Sequence, residues 1–325
     1  MIFLTDYLLF LLKTITYVIA ILGTVAGIIG IILKTRLSDK DKLTVKKLNE
    51  YYQNITDHLN QVILSKKQYK QHKKQKAAQA KQHIPEKRIF VLDFQGDMKA
   101  SALNGLREAI TAIIQTATPK DEVLLRLESP GGLVSHYGLA ASQLARLKEY
   151  NICLTVSVDK IAASGGYLMA CVANRIIAAP FAIVGSIGVV TQFPNFNRFL
   201  KKHNIDFESL TAGEYKRTLT LFGENTEQDR EKMKMQLEEV HNLFKQFIRE
   251  HRPQVDVSQV ATGEHWLAKQ AIDLQLVDQL TTSDDYLLRA CSQADIYHVK
   301  YAGPKLNFKE KLGLYLYQGQ HNTIF

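Results

Sequence analysis

From Thr14 to Leu33 the chain reads TITYVIAILGTVAGIIGIIL without a charge. About 20 helical residues cross a hydrocarbon core of roughly 30 Å, so this pattern predicts a membrane anchor over residues 1–33. Lys13 stands at one edge and Lys34 and Arg36 at the other, where long basic side chains snorkel to headgroups. The Lys-Thr-Arg behind Leu33 is a poor cleavage site, which favours an uncleaved anchor over a signal peptide. Gly23 and Gly27, four apart, resemble a small-residue packing face.

The next segment, residues 34–87, reads as a Lys-rich linker. Leu48, Tyr51, Ile55, Leu59 and Val62 recur at three- and four-residue steps, which predicts one apolar stripe of a helix or a short coiled coil. From Ser65 to His83 the chain is almost entirely Lys, Gln, His and Ala. That composition suits a solvated helix or spacer, and equally a basic patch on anionic lipid. Pro85 closes the segment.

Beyond it the apolar period switches repeatedly. Arg88–Phe94, Glu122–Leu127, Ile152–Val158 and Arg175–Ala178 read as strands; Ala102–Ala117, Tyr137–Leu147 and Gly165–Ala173 read as helices. This alternation predicts βαβ units with helices packed on the sheet. Asn225–Glu250 is a long charged helix, with Thr226 as N-cap and Asp229 three residues on. Ala178–Val190 is apolar but too short to span a bilayer, and it is broken by Pro180, Gly185 and Gly188; it reads as buried sheet and turns. The domain expected from this pattern occupies residues 88–285, with a tail over 286–325. In that tail Leu306, Phe308, Leu312 and Tyr315 have the spacing of an amphipathic helix.

Composition changes this picture in one respect. The net charge of +9 is concentrated, because residues 34–88 hold 15 Lys/Arg against five Asp/Glu. The remainder is close to neutral, so no nucleic-acid partner is expected of the folded part. The basic residues behind the anchor point to a cytoplasmic C-terminal side. Three scattered cysteines give neither a disulfide framework nor a zinc ribbon.

Three small-residue turns are candidates for chemistry: Ser129-Pro130-Gly131-Gly132, Ala163-Ser164-Gly165-Gly166-Tyr167 and Gly185-Ser186-Ile187-Gly188. Amide hydrolysis needs a nucleophile, a base and donors for the oxyanion. Ser164, on a tight turn before a helix, fits the nucleophile; the bland alternative is a plain N-cap. Gly165 can present its N–H with no Cβ in the way, and Gly132 can offer a second from the neighbouring strand end. The base is not visible in this way. His136, His203 and His265 lack a triad-like setting, and a lysine can serve only where burial lowers its pKa. Nothing in composition selects one lysine.

The stretches LRLESPGG (125–132), DKIAASGGYLMACVA (159–173), FAIVGSIGVV (181–190), PNFNRFL (194–200), TAGEYKRTLTLFGENT (211–226) and ATGEHW (261–266) resemble the membrane-bound serine peptidases of the signal peptide peptidase A type. The resemblance implies an α/β, ClpP/crotonase-like fold and a Ser/Lys dyad. In it Ser164 matches the nucleophile and Lys216 the general base. Ser186 matches a serine that orients the lysine, and Gly132 and Gly165 match the oxyanion-hole amides. It further implies a peptide substrate, no cofactor, no metal and a homo-oligomer. The implied location is the bacterial inner membrane, with the protease domain outside it, against the charge rule. One departure is Gln275, where the family usually has the glycine of Gly-Leu-Val-Asp. The expected function is a membrane-anchored serine endopeptidase acting on signal-peptide remnants or unfolded peptides. The alternatives are a catalytically inactive membrane scaffold of the same fold and a crotonase-type acyl-CoA enzyme.

Overall fold

The structure, a computed structural model, describes residues 9–25, 42–80, 87–213 and 215–302. The chain divides into two compact units, one comprising Met1–Thr44 with Tyr301–Phe325 and the other Val45–Lys300. In the first, residues 9–25 form helix α1. Lys13 lies inside the described part of this helix. Among the described residues no helix is long and apolar enough to cross a membrane. This corrects the expected single-pass anchor, and with it the transmembrane part of the fold, the membrane-anchored form of the function, the inner-membrane location and the membrane-lipid partner. Residues 26–33 of the expected span, Gly27 among them, and the expected tail helix at 306–315 lie outside the described residues.

Strand β1 (Lys42–Lys47) leads into α2 (Leu48–Ile63) and α3 (Lys66–Ala80). Next come β2 (Lys87–Gln95), α4 (Leu103–Thr116), β3 (Glu122–Glu128), α5 (Val134–Glu149), β4 (Cys153–Val158), β5 (Ile161–Ala163), α6 (Gly165–Ala170), β6 (Arg175–Ala178) and β7 (Ile183–Gly185). The chain continues through α7 (Asn197–Lys202), α8 (Glu227–His251), α9 (Val257–Val260), β8 (His265–Leu267), α10 (Ala268–Ala271), β9 (Gln279–Leu280), α11 (Ser283–Ala290) and β10 (Ala294–Ala302). A seven-stranded sheet has the order β1-β10-β2-β3-β4-β6-β9, and a three-stranded sheet the order β5-β7-β8. From β10 to β9 every neighbouring pair in the large sheet is parallel. The small sheet is mixed, with β5 parallel and β8 antiparallel to β7.

The large sheet is covered on both faces, which is why its strands read as continuous apolar runs. Successive side chains alternate. Phe90, Leu92, Phe94, Val123, Leu125 and Leu127 join the main core beneath α4 and α5. Ile89, Val91 and Leu124 face the other way, against Leu287 of α11, Ile296 of β10 and Leu48 of α2. Asn49 ties the start of α2 to this second face: its Nδ2 donates to the carbonyl of Ala294 at 2.9 Å, and its Oδ1 accepts from the N–H of Ile296 at 2.7 Å. The stripe farther along α2 finds no such cover, and Tyr51, Ile55, Leu59 and Val62 stay exposed.

Two polar clusters hold the frame. Arg252, at the end of α8 and 2% exposed, donates to both carboxylate oxygens of Asp278 at 2.7 and 2.8 Å and to the carbonyl of Gln275. Asp278 also accepts from the N–H of Ile176 in β6. Gln275 has φ +58, the left-handed region where an L side chain is strained and a glycine is not. The second cluster joins three strands, with Asp93 accepting from Arg126 Nε at 2.6 Å and from His298 Nε2 at 2.8 Å. Burial pushes the Asp93 carboxyl up, but the bonds from His298 and Arg126 outweigh it and bring it down to about 2.

Truncating Arg252→Ala leaves Asp278 without its partner and should lower unfolding free energy by about 3–5 kcal/mol in urea titrations. An unchanged midpoint would contradict that role. Because the Asp93 carboxyl titrates lower in the folded than in the unfolded chain, its contribution is complete above about pH 4 and lost as pH falls through about 2. Asp93→Asn should therefore flatten the acid limb of stability against pH over that window, measured by chemical unfolding.

Candidate active site

Ser164 joins β5 to α6 with no intervening loop. Its backbone lies at φ +52, ψ −120, and its side chain makes no capping hydrogen bond. The N-cap alternative is therefore set aside: the hydroxyl does not turn back on the helix. A serine on a strained strand-to-helix turn is the arrangement that exposes a nucleophile in other hydrolases. Holding a non-glycine residue in that conformation costs on the order of 1–3 kcal/mol. Its surroundings fix it there. The Ser164 N–H donates to the carbonyl of Gly185 at 2.8 Å, and the register Ala163↔Gly185 runs β5 alongside β7.

The same register places Ser186 beside Ser164, each one residue beyond the paired positions. Ser186 shares the left-handed backbone at φ +52, and its N–H donates to the carbonyl of Glu264 at 2.6 Å. Gly185, at φ +100, leaves room for the Trp266 ring, which a Cβ would meet at 2.7 Å. His265 is the register partner of Gly185 on β8, but it is exposed, and no hydrogen bond joins it to either serine among the described residues.

The Ser129–Gly132 turn comes from the adjacent strand end. Ser129 N–H donates to the carbonyl of Ile161, and its carbonyl accepts from Ala163 N–H, so this residue extends β3 against β5. Gly131 then abuts the nucleophile. At φ +94, a Cβ there would lie 2.7 Å from Ser164 Cβ and 2.8 Å from the Gly165 nitrogen. Gly132 is pressed so closely on the Met98 carbonyl that a Cβ would overlap it. Among the described residues no hydrogen bond engages the N–H of Gly132 or of Gly165. Both amides remain free beside the half-buried Ser164.

Beneath these turns lies Tyr137, fully buried. A Cβ on Gly165 would run into its ring. Its hydroxyl contacts Ser129 Oγ at 2.6 Å and donates to the Asp97 carbonyl at 2.8 Å. Burial pushes the phenol's pKa up, so it remains a donor. Gly131 and Tyr137 lie within a turn and a helix recognisable from sequence, yet only the three-dimensional packing reveals their contact with Ser164 and Gly165.

Lys216 makes no hydrogen bond to either serine among the described residues. It stands exposed on a turn, where its N–H donates to the Gly213 carbonyl at 3.2 Å. Farther along the chain, a small aromatic lobe pins the 220–225 segment. Phe222 stacks on Phe196 at 6.0 Å and contacts Phe207 at 5.7 Å, while Asn195 Nδ2 donates to the carbonyls of Thr220 and Gly223. Among the described residues no group of three or more His, Cys, Asp or Glu side chains is arranged to hold a metal ion.

The sequence matches two family descriptions, Peptidase family S49 N-terminal over residues 2–144 and Peptidase family S49 over residues 146–297. The probable protease SohB of Haemophilus influenzae is 47% identical over 317 residues, covering 92% of this chain and 89% of that protein. The probable protease SohB of Buchnera aphidicola subsp. Acyrthosiphon pisum is 48% identical over 305 residues, covering 92% and 90%.

Gly131→Ala tests the close approach around Ser164. It should lower kcat/KM on a peptide substrate by about 100-fold or more, because the added methyl must displace the serine or the Gly165 amide. Wild-type kinetics in this variant would show that the turn does not abut the reacting centre.

Proposed function

Since the chain belongs to peptidase family S49 and is a serine endopeptidase, we propose that Ser164 is its nucleophile and Lys216 its general base, with the N–H groups of Gly132 and Gly165 as oxyanion hole. The observation that carries this reading is the Ser164 turn. Its hydroxyl is uncommitted, its backbone is held at φ +52, and free amide donors flank it on two separate segments. Ser186, beside Ser164 in the strand register, is assigned to orient the lysine.

In the proposed cycle the amine of Lys216 takes the Ser164 proton as Oγ bonds to the scissile carbonyl carbon. The carbonyl oxygen becomes an oxyanion facing the amides of Gly132 and Gly165. Collapse of this tetrahedral species breaks the C–N bond, and the proton held on Lys216 passes to the leaving amine. Water then repeats the sequence on the acyl-enzyme, giving its proton to Lys216 and releasing Ser164. Preorganised donors of this kind are each worth about 100–1000-fold in rate. Exposed Lys216 must reach Ser164, and a peptide lying over the site would exclude water from the amine.

The substrate class that suits the site is an unfolded or extended peptide, since the half-buried Ser164 stands on a turn that an extended backbone can reach. Membership in a peptidase family sets aside both the acyl-CoA and the inactive-scaffold alternatives.

Ser164→Ala should abolish peptide hydrolysis. Lys216→Ala should lower kcat by about 100- to 10,000-fold, with partial recovery on adding a small primary amine such as ethylamine. A Lys216→Ala protein with wild-type turnover would remove that residue from the mechanism.

A further inference from the structure

The amide donors of the proposed oxyanion hole are held by a directed chain of hydrogen bonds that ends beyond Tyr137. A phenol carries one hydrogen. Tyr137 gives it to the Asp97 carbonyl at 2.8 Å, so at the 2.6 Å contact with Ser129 Oγ it can only accept. Ser129 therefore donates to Tyr137, and its lone pair accepts from the Gly131 N–H at 3.1 Å. The order runs Gly131 N–H to Ser129 O–H to Tyr137 O–H to Asp97 C=O. Each link has one donor and one acceptor, and Ser129 and Tyr137 are 0% exposed. Buried chains in which every member is satisfied polarise one another and fix one arrangement.

The direction of these bonds decides which amide is left over. With the Gly131 N–H drawn inward to Ser129, the next amide, that of Gly132, stays free one residue from the Gly131 that abuts Ser164. The ring of the same tyrosine lies directly under Gly165. One side chain thus supports both arms of the hole, one arm through its hydroxyl and the other through its ring.

We propose that Tyr137, acting through Ser129, is a positioning residue for the oxyanion hole, setting the Gly131–Gly132 turn at the distance from Ser164 and Gly165 that the transition state requires. This rests on the assignment of Ser164 and the two amides above. Neither residue touches substrate, so its effect appears in the transition state and leaves ground-state binding unchanged.

The test compares wild type, Tyr137→Phe, Ser129→Ala and the double variant, all checked for folding by far-UV circular dichroism. Two quantities are read: kcat and KM on a fluorogenic peptide of small apolar residues, and the Kd of a peptide boronate. The boronate's tetrahedral adduct on a serine presents charge to the hole and needs no turnover. Each single variant should lose about tenfold or more in kcat with KM within about twofold. Boronate affinity should fall by a similar factor. The double variant should be no worse than the poorer single, because both interrupt one chain. Ser129→Ala keeps the ring under Gly165 and so serves if Tyr137→Phe folds poorly. Unchanged kcat and boronate affinity in the folded single variants would overturn the proposal, as would a loss confined to KM. Ser164→Ala is run alongside. If it still turns over, the nucleophile assignment has failed as well; if it is inactive while Tyr137→Phe is fully active, only the positioning role has failed.

Discussion

Everything at the site depends on one backbone constraint, the positive φ of Ser164 between β5 and α6. A serine relaxes out of φ +52, ψ −120 unless its neighbours forbid it. Here the Gly185 carbonyl captures its N–H, the Ser129 bridge fixes the strand before it, and Gly131 fills the space beside its Cβ. These contacts come from the ends of different strands. That is where parallel α/β sheets generally gather their functional groups. The three glycine-containing turns are therefore one device, with each turn supplying what another lacks.

The frame behind that device is tied together at its base. Tyr167, two residues into α6, is wholly buried and donates its hydroxyl to the Leu276 carbonyl at 3.1 Å. Leu276 comes directly after Gln275, whose carbonyl accepts from Arg252, and Arg252 clamps Asp278. The end of α8 and helix α6 thus lean on the same short stretch, 275–278. The Lys216 turn, which precedes α8, is exposed, and Lys232 of α8 lies over the Tyr215 ring at 4.6 Å. In the proposed mechanism the serine and its amide donors stand on this frame, and the exposed Lys216 has to reach them.

Much of this is legible in the sequence because the controlling physics is local. The centres of β2 and β3 carry apolar residues on both faces, β4 alternates Leu154, Val156 and Val158 with Thr155 and Ser157, and Leu106, Ile110 and Ile113 keep the spacing of an inward helix face. The cap at Thr226 is the expected reciprocal box with Asp229. Strand β7 falls in the 178–190 segment read as buried sheet and turns, whereas β5 and β8 are not legible, since three residues carry no period. Their existence rests on pairings such as Ile183↔Leu267 that span much of the chain. The Ser129–Tyr137 chain is hidden for the same reason: a serine in a turn and a tyrosine in a helix announce nothing until folding stacks them. At the amino-terminal end the apolar run invites a spanning helix, and among the described residues no helix is long and apolar enough to cross a membrane.

The most direct test is to find which side chain reacts. Full-length protein treated with a fluorophosphonate, then digested and sequenced by mass spectrometry, should carry the adduct on Ser164 alone. In the proposed site the Gly132 and Gly165 amides stabilise charge developing beside that hydroxyl. Modification of a different serine, with Ser164 recovered unlabelled from protein whose peptidase activity the reagent has abolished, would contradict the account at its centre.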